Sequence, residues 1–178
     1  YSIIENLAHA ATLTAALRQN PGTRKIFALV DDTLSGQSIR QHFLEQVRPL
    51  AGQVAIEVLP VQTRDQLVRF ARERTQGELL YLLVYFQDGA GQVFTAEEIP
   101  RLISGSAPVP VYVAWDFQLD SAAVGGCVTS GFGHGRKAAQ TLLDRLAGKK
   151  PPAIYDGLQG VTRQMYNFPS LARFAIPR

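Results

Sequence analysis

The sequence predicts an α/β fold, a three-layer sandwich around a mostly parallel five-stranded sheet. Short apolar runs recur along the chain at the length of buried strands. Amphipathic segments of helical period separate them. Alternation of the two along one chain implies crossover connections and a layered domain. The chain has 178 residues, enough for one good core or two small lobes.

Residues 2–19 place Ile3, Leu7, Ala10, Thr14 and Leu17 at helical spacing, and Pro21-Gly22 ends that pattern. Lys25–Val30 reads as the first buried strand. Ser35 is expected to cap a helix with Ile39, Phe43, Leu44 and Val47 on one face, closing near Gly52. Val54–Leu59 alternates as a second strand and stops at Pro60. Thr63 and Gln66 have capping-box spacing before Leu67, Val68, Phe70 and Ala71. Glu78–Phe86, "ELLYLLVYF", is the most hydrophobic run and the candidate central strand. After the polar loop "QDGAGQ", Thr95 and Glu98 repeat the capping-box spacing for a short helix to about Ser104. Val109–Ala114 is the fourth strand and Ala122–Thr129 the fifth. Gly135 and Gly148 bracket a last helix with Ala138, Ala139, Leu142, Leu143 and Leu146 turned inward. "GKKPP" is a break, and the strand-then-helix pattern beyond it has no evident place in the sheet.

Composition narrows the function. Hydrophobic residues are 46% and charged residues 19% of the chain, as in an ordinary globular domain. The net charge is +3, but the basic residues are scattered and no basic run is interleaved with aromatics, which argues against nucleic acid. Cys127 is the single cysteine, so no intrachain disulfide forms, and three distant histidines make a zinc site a poor expectation. No cofactor is expected. No apolar run approaches the roughly 20 residues that span a bilayer. The chain opens at Tyr1 inside a periodic pattern and is expected to be a piece of something longer.

In open parallel sheets, ligands bind at the carboxyl ends of strands. Asp31 and Asp32 follow the first strand, Asp88 the third and Asp116 the fourth, beside Tyr85, Phe86, Trp115 and Phe117. Carboxylates and aromatic faces suit a cationic or hydroxyl-rich ligand, and backbone N–H groups after Ser35 suit a carboxylate. Each aspartate equally suits a turn or a cap. The Asp31-Asp32 pair resembles the acidic pocket of receiver domains, with Asp88 as the acceptor. No lysine follows the later strands, and the expected helix before the first strand breaks that pattern. "GGCVTSGFGHG" lacks the G-x-G-x-x-G spacing, and Gly125-Gly126 reads as a close backbone approach. Cys127 with His134 has nucleophile-and-base chemistry, but a mid-strand cysteine is usually an inert small hydrophobe. His9 and His42 read as partly exposed helix residues. No catalytic residue is expected.

Taken in order, "ENLAHAATLTAALRQNPGTRKIFALVDDTLSGQSIRQHF", "LLVYFQDGAGQVFTAEEIPRL" and "VPVYVAWDFQLDSAAVGGCVTSGFGHGRKAAQTLLDRLAGKKP" resemble the second lobe of the type I periplasmic-binding-protein superfamily. The branch is that similar to ABC-transporter substrate-binding proteins. "FQD", "WDF" and "VGG" resemble the version found in the sensor region of bacterial membrane histidine kinases and diguanylate cyclases. The resemblance implies that residues 1–150 form a second lobe and 151–178 a linker and a segment returning toward a first lobe. It implies a periplasmic or otherwise extracytoplasmic, non-catalytic sensor domain. Its partners would be a small-molecule ligand, with an amino-acid-like one among those implied, that first lobe, and a downstream signalling module. The ligand residues carried over are Asp32, Thr33 and Ser35, then Gln87 and Asp88, then Trp115 and Asp116. The alternatives are a substrate-binding protein of an ABC transporter and a receiver-like or flavodoxin-like enzyme.

Overall fold

The computed structural model describes residues 1–158 and 160–177. In chain order the elements are β1 (Ser2–Ile4), α1 (His9–Gln19), β2 (Lys25–Leu29), α2 (Leu34–Val47), β3 (Ala55–Val58), α3 (Arg64–Arg72) and β4 (Glu78–Leu82). Then come α4 (Glu98–Ser106), β5 (Val111–Val113), β6 (Gly125–Thr129), α5 (Gly131–Leu146), β7 (Ile154–Asp156), β8 (Thr162–Tyr166) and α6 (Phe168–Arg173). The main sheet runs β3-β2-β4-β5-β6-β8, parallel except for β8, which lies antiparallel to β6. β1 and β7 form a separate parallel pair.

The period-2 geometry of strands sends alternate residues into two cores. Ile26, Ala28, Tyr81, Leu83 and Tyr112 pack with Leu13, Ala16, Phe43 and Val47 of α1 and α2. Phe27, Leu29, Leu80, Leu82, Val111 and Val113 pack with Leu67 and Ala71 of α3 and Ile99 and Ile103 of α4. This is why "ELLYLLVYF" reads as a continuous apolar run: both of its faces are covered. Buried tyrosine hydroxyls are satisfied, Tyr112 donating to Gln19 and accepting from Asn20, each at 2.8 Å.

Several expectations change. The helix expected over 2–19 starts only at His9, because Ile3 and its neighbours pair with β7, a partner no local periodicity reveals. Its buried face is His9, Thr12, Leu13 and Ala16 rather than the predicted set. The cap of α2 is Thr33, not Ser35: Thr33 Oγ1 accepts from Gly36 N at 3.1 Å. The capping box expected at Thr95 and Glu98 does not open α4: that helix starts at Glu98 after Glu97, whose side chain makes no cap, and Thr95 N donates to Glu98 Oε2 at 2.7 Å in the turn ahead of it. The inward leucines of α5 face outward, Leu142 60%, Leu143 59% and Leu146 76% exposed, and only Gly133 and Thr141 of that helix are buried. Amphipathic periodicity marks a face that wants cover, not where cover comes from. The sheet also has a sixth strand: residues 151–178 contain β7, β8 and α6, and β8 closes the main sheet.

Other local readings hold. Thr63 and Gln66 form the capping box of α3. Gly125 has a φ of 124° where β8 approaches, and a Cβ there would collide with the Met165 carbonyl.

Candidate functional site

The loops after β2, β4 and β5 meet at the carboxyl edge of the sheet, and one buried carboxylate ties two of them together. Asp31 is 2% exposed. Its Oδ2 accepts from Phe86 N at 2.6 Å and Gln87 N at 3.4 Å, across the β4 loop. Its Oδ1 accepts from Thr33 Oγ1 at 2.6 Å and Thr33 N at 3.2 Å. Thr33 in turn caps α2, so strand end, cap and neighbouring loop share one set of bonds. Asp31 is structural, and Thr33 is spent on it. Asp32 is exposed, and its carbonyl accepts from Gln37 Nε2 at 2.9 Å.

Asp88 has the same role in the loop after β4. Oδ2 accepts from Arg64 N at 2.8 Å, at the start of α3, while Oδ1 accepts from Ala90 N and Gln92 N at 2.9 Å each. These N–H groups, Arg64 first, hold its carboxyl below the usual carboxylate range. Gln87 Nε2 donates to Gly91 O at 3.3 Å and closes the same loop.

The β5 loop is held by Gln118. Its Oε1 accepts from Ala114 N and Trp115 N, each at 3.2 Å, and its Nε2 donates to Leu83 O at 2.9 Å. That fixes Trp115, whose ring stacks on Phe117 with centroids 6.0 Å apart. Trp115 Nε1 donates to Glu5 Oε1 at 2.9 Å, linking this loop to the segment after β1. Asp116 is half-buried at the start of the following helical turn.

These pieces frame a cavity of about 610 Å³. One wall is the α2 stripe Ser35, Ser38, Ile39, His42 and Gln46, which helical spacing puts on one face. The opposite side is Val84, Phe86, Trp115 and Phe117, and the segment from Glu5 to His9 completes it. Of the seven residues expected from sequence, Ser35 and Trp115 line this cavity; Asp32, Thr33, Gln87, Asp88 and Asp116 are not among its lining residues.

Sequence reasoning missed Glu5, Ser38, His42 and above all His9. The i, i+3, i+7 spacing of Ser35, Ser38 and His42 was the readable signal. His9 was expected at the surface but is 0% exposed. Its Nδ1 lies 2.8 Å from the Tyr81 hydroxyl, and its ring meets Phe43 and Tyr81 edge-on. Burial first, then His42, brings its pKa down to about 3, so the ring is neutral.

A second cavity, of about 460 Å³, lies between α5 and β1 and includes His134, Ala138 and Leu142. Cys127 hydrogen-bonds through its backbone to the Thr12 hydroxyl, and burial pushes its thiol upward, away from the reactive thiolate. Among the described residues, no group of three or more His, Cys, Asp and Glu could hold a metal ion, and no helix is long and apolar enough to cross a membrane.

No protein-family model and no curated protein matches the sequence. Solved structures do match in shape. A conserved domain protein from Vibrio cholerae O1 biovar El Tor has a TM-score of 0.65 at 12% identity, over 98% of this chain and 57% of its own. An ABC domain from Streptococcus pneumoniae, in complex with L-Trp, has a TM-score of 0.61 at 11% identity, over 97% and 58%. A ligand-free, open substrate-binding protein with adhesive properties from Clostridium difficile has a TM-score of 0.57 at 14% identity, over 94% and 55%. The chain thus spans a little over half the length of each. Its mostly parallel sheet, with helices on both sides, is similar in fold to the lobes of substrate-binding proteins.

Proposed function

We propose that the chain is the second lobe of a two-lobed, extracytoplasmic small-molecule-binding domain that closes a cleft over its ligand. The observation that carries this is the cavity at the carboxyl edge of the sheet, walled by α2 and the Trp115–Phe117 pair. Two features support a first lobe beyond this chain. The uncovered apolar face of α5 wants a partner surface, and structures of similar fold run well past the region they share with this chain. β1 and β7, side by side, are the connections between the lobes.

The lobe acts without catalysis. Ligand bound between two lobes favours the closed state by as much as it prefers that state to the open one. In a sensor, closure biases a signalling module attached downstream, and this is the role we favour. Delivery to an ABC permease is the second reading, supported by the neighbours from Streptococcus pneumoniae and Clostridium difficile, an ABC domain and a substrate-binding protein. Amphipathic small molecules, aromatic amino acids among them, suit the lining.

Native mass spectrometry of the full-length protein tests the reading. A co-purifying small molecule, released on unfolding, is expected. A protein that is always empty and gains no thermal stability from an amino-acid panel refutes it. Ligand-dependent output of the attached module, as opposed to uptake by a permease, separates the two roles.

A further inference from the structure

Among the described residues that line the α2 cavity, one buried polar side-chain atom has no hydrogen-bond partner: Nε2 of His9. The rest of the ring is engaged, Nδ1 with the Tyr81 hydroxyl and the ring in T-shaped contacts with Phe43 and Tyr81. Tyr81 is completely buried and keeps its proton, because burial outweighs the opposite pull of the Thr12 hydroxyl. The hydrogen-bond partner of the Tyr81 hydroxyl is Nδ1 of His9, at 2.8 Å, and a buried hydroxyl keeps its hydrogen bonded, so Tyr81 donates and Nδ1 accepts. A neutral imidazole accepting at Nδ1 carries its hydrogen on Nε2. A buried N–H with no acceptor is costly, and native proteins rarely keep one without a reason.

The lining says what acceptor fits. Its single carboxylate, Glu5, already accepts from Trp115. Against it stand His9, His42 and the hydroxyls of Ser35 and Ser38, and no acidic residue lies in the first turn of α2. Phe86, Ile39 and the Trp115–Phe117 stack offer room for an apolar body. We propose that His9 is the specificity-determining donor of this cavity, its Nε2–H reading a carboxylate oxygen of an aryl or alkyl carboxylate ligand beside His42. This rests on the small-molecule-binding reading above. Tyr81 is then a positioning residue that sets the tautomer of His9.

The test uses the full-length protein and three probes by calorimetry: L-tryptophan, indole-3-propionate, which lacks the amine, and tryptamine, which lacks the carboxylate. The two carboxylates are expected to bind and tryptamine to bind at least about tenfold more weakly, the scale of one hydrogen bond to a charged group. His9→Phe keeps an aromatic ring against Phe43 and Tyr81, and it should weaken both carboxylates by about tenfold or more. Equal binding by His9→Phe, or tryptamine bound as tightly as the acids, overturns the proposal. Nitrogen-15 NMR of the ligand-free protein provides a check that needs no ligand and no variant. The Nε2–H tautomer of His9 is expected, and an Nδ1–H tautomer overturns the inference while leaving the binding reading intact. No binding of any probe, with the tautomer as expected, overturns the carboxylate assignment, while the binding reading stands or falls by the native mass measurement.

Discussion

Replacing Asp31 with alanine tests the logic of the whole sheet edge. The side chain accepts two short bonds, from Phe86 N and Thr33 Oγ1 at 2.6 Å each, and two longer ones, from Thr33 N at 3.2 Å and Gln87 N at 3.4 Å. A hydrogen bond to a charged group is worth about 1.5–3 kcal/mol. The two short ones give about 3–6 kcal/mol. Water reaching the half-buried Thr33 and Phe86 brings the net toward the lower end, about 3 kcal/mol. Asp31→Asn keeps one acceptor oxygen and should cost about half as much. Urea unfolding of the chain, read by far-UV circular dichroism, measures this directly. With a slope of about 2 kcal/mol per molar, the midpoint falls by about 1.5 M with the slope unchanged. A fall under about 0.3 M would mean that the four bonds do not hold the loops together and that the aspartate is free to serve a ligand.

Three further outcomes follow from the same geometry. Gly36→Ala places a methyl on the Asp31 carboxylate and carbonyl, costing about 1–3 kcal/mol by overpacking, and less in the Asp31→Ala background. A double-mutant cycle in urea reads the difference. Asp88, whose carboxyl is held low by the Arg64, Gln92 and Ala90 amides, contributes stability above its unfolded pKa of about 4, and that contribution is lost as pH falls through the lower folded value. Asp88→Asn should therefore flatten the acid limb of a stability–pH curve, and an unchanged limb refutes the assignment. Leu142→Gln, at an exposed position of α5, should change the stability of this chain by less than about 0.5 kcal/mol in thermal unfolding, yet lower that of the full-length protein if the proposed first lobe covers α5.

What the sequence disclosed was what local chemistry decides. The capping box at Thr63–Gln66, the central strand around Leu79–Leu82 and the alternation of elements needed no distant partner. The first turns of the chain were misread because Ser2–Ile4 pairs with Ile154–Asp156, and α5 because its cover is not within the described residues of this chain. The candidate site was legible as a place and less so as a set of side chains. Position after a strand put Asp31 and Asp88 at the edge, but nearby backbone N–H groups claimed their oxygens. His9 went unnoticed because burial under Phe43 and Tyr81 is a tertiary fact.

The pairing of β1 with β7 bears on the order of folding. It joins Ser2 to Ile154 and Ile4 to Asp156, and a 2.6 Å bond from Asn6 Nδ2 to Asp156 Oδ1 extends it. Nearly the whole chain lies in the loop this pair closes. Such closure is entropically unfavourable until the intervening strands and helices have compacted the chain. The pair is short and mostly exposed, so it forms late and opens first. It can fray and re-form while the main sheet stays intact, which makes these two strands the first place for a protease to nick.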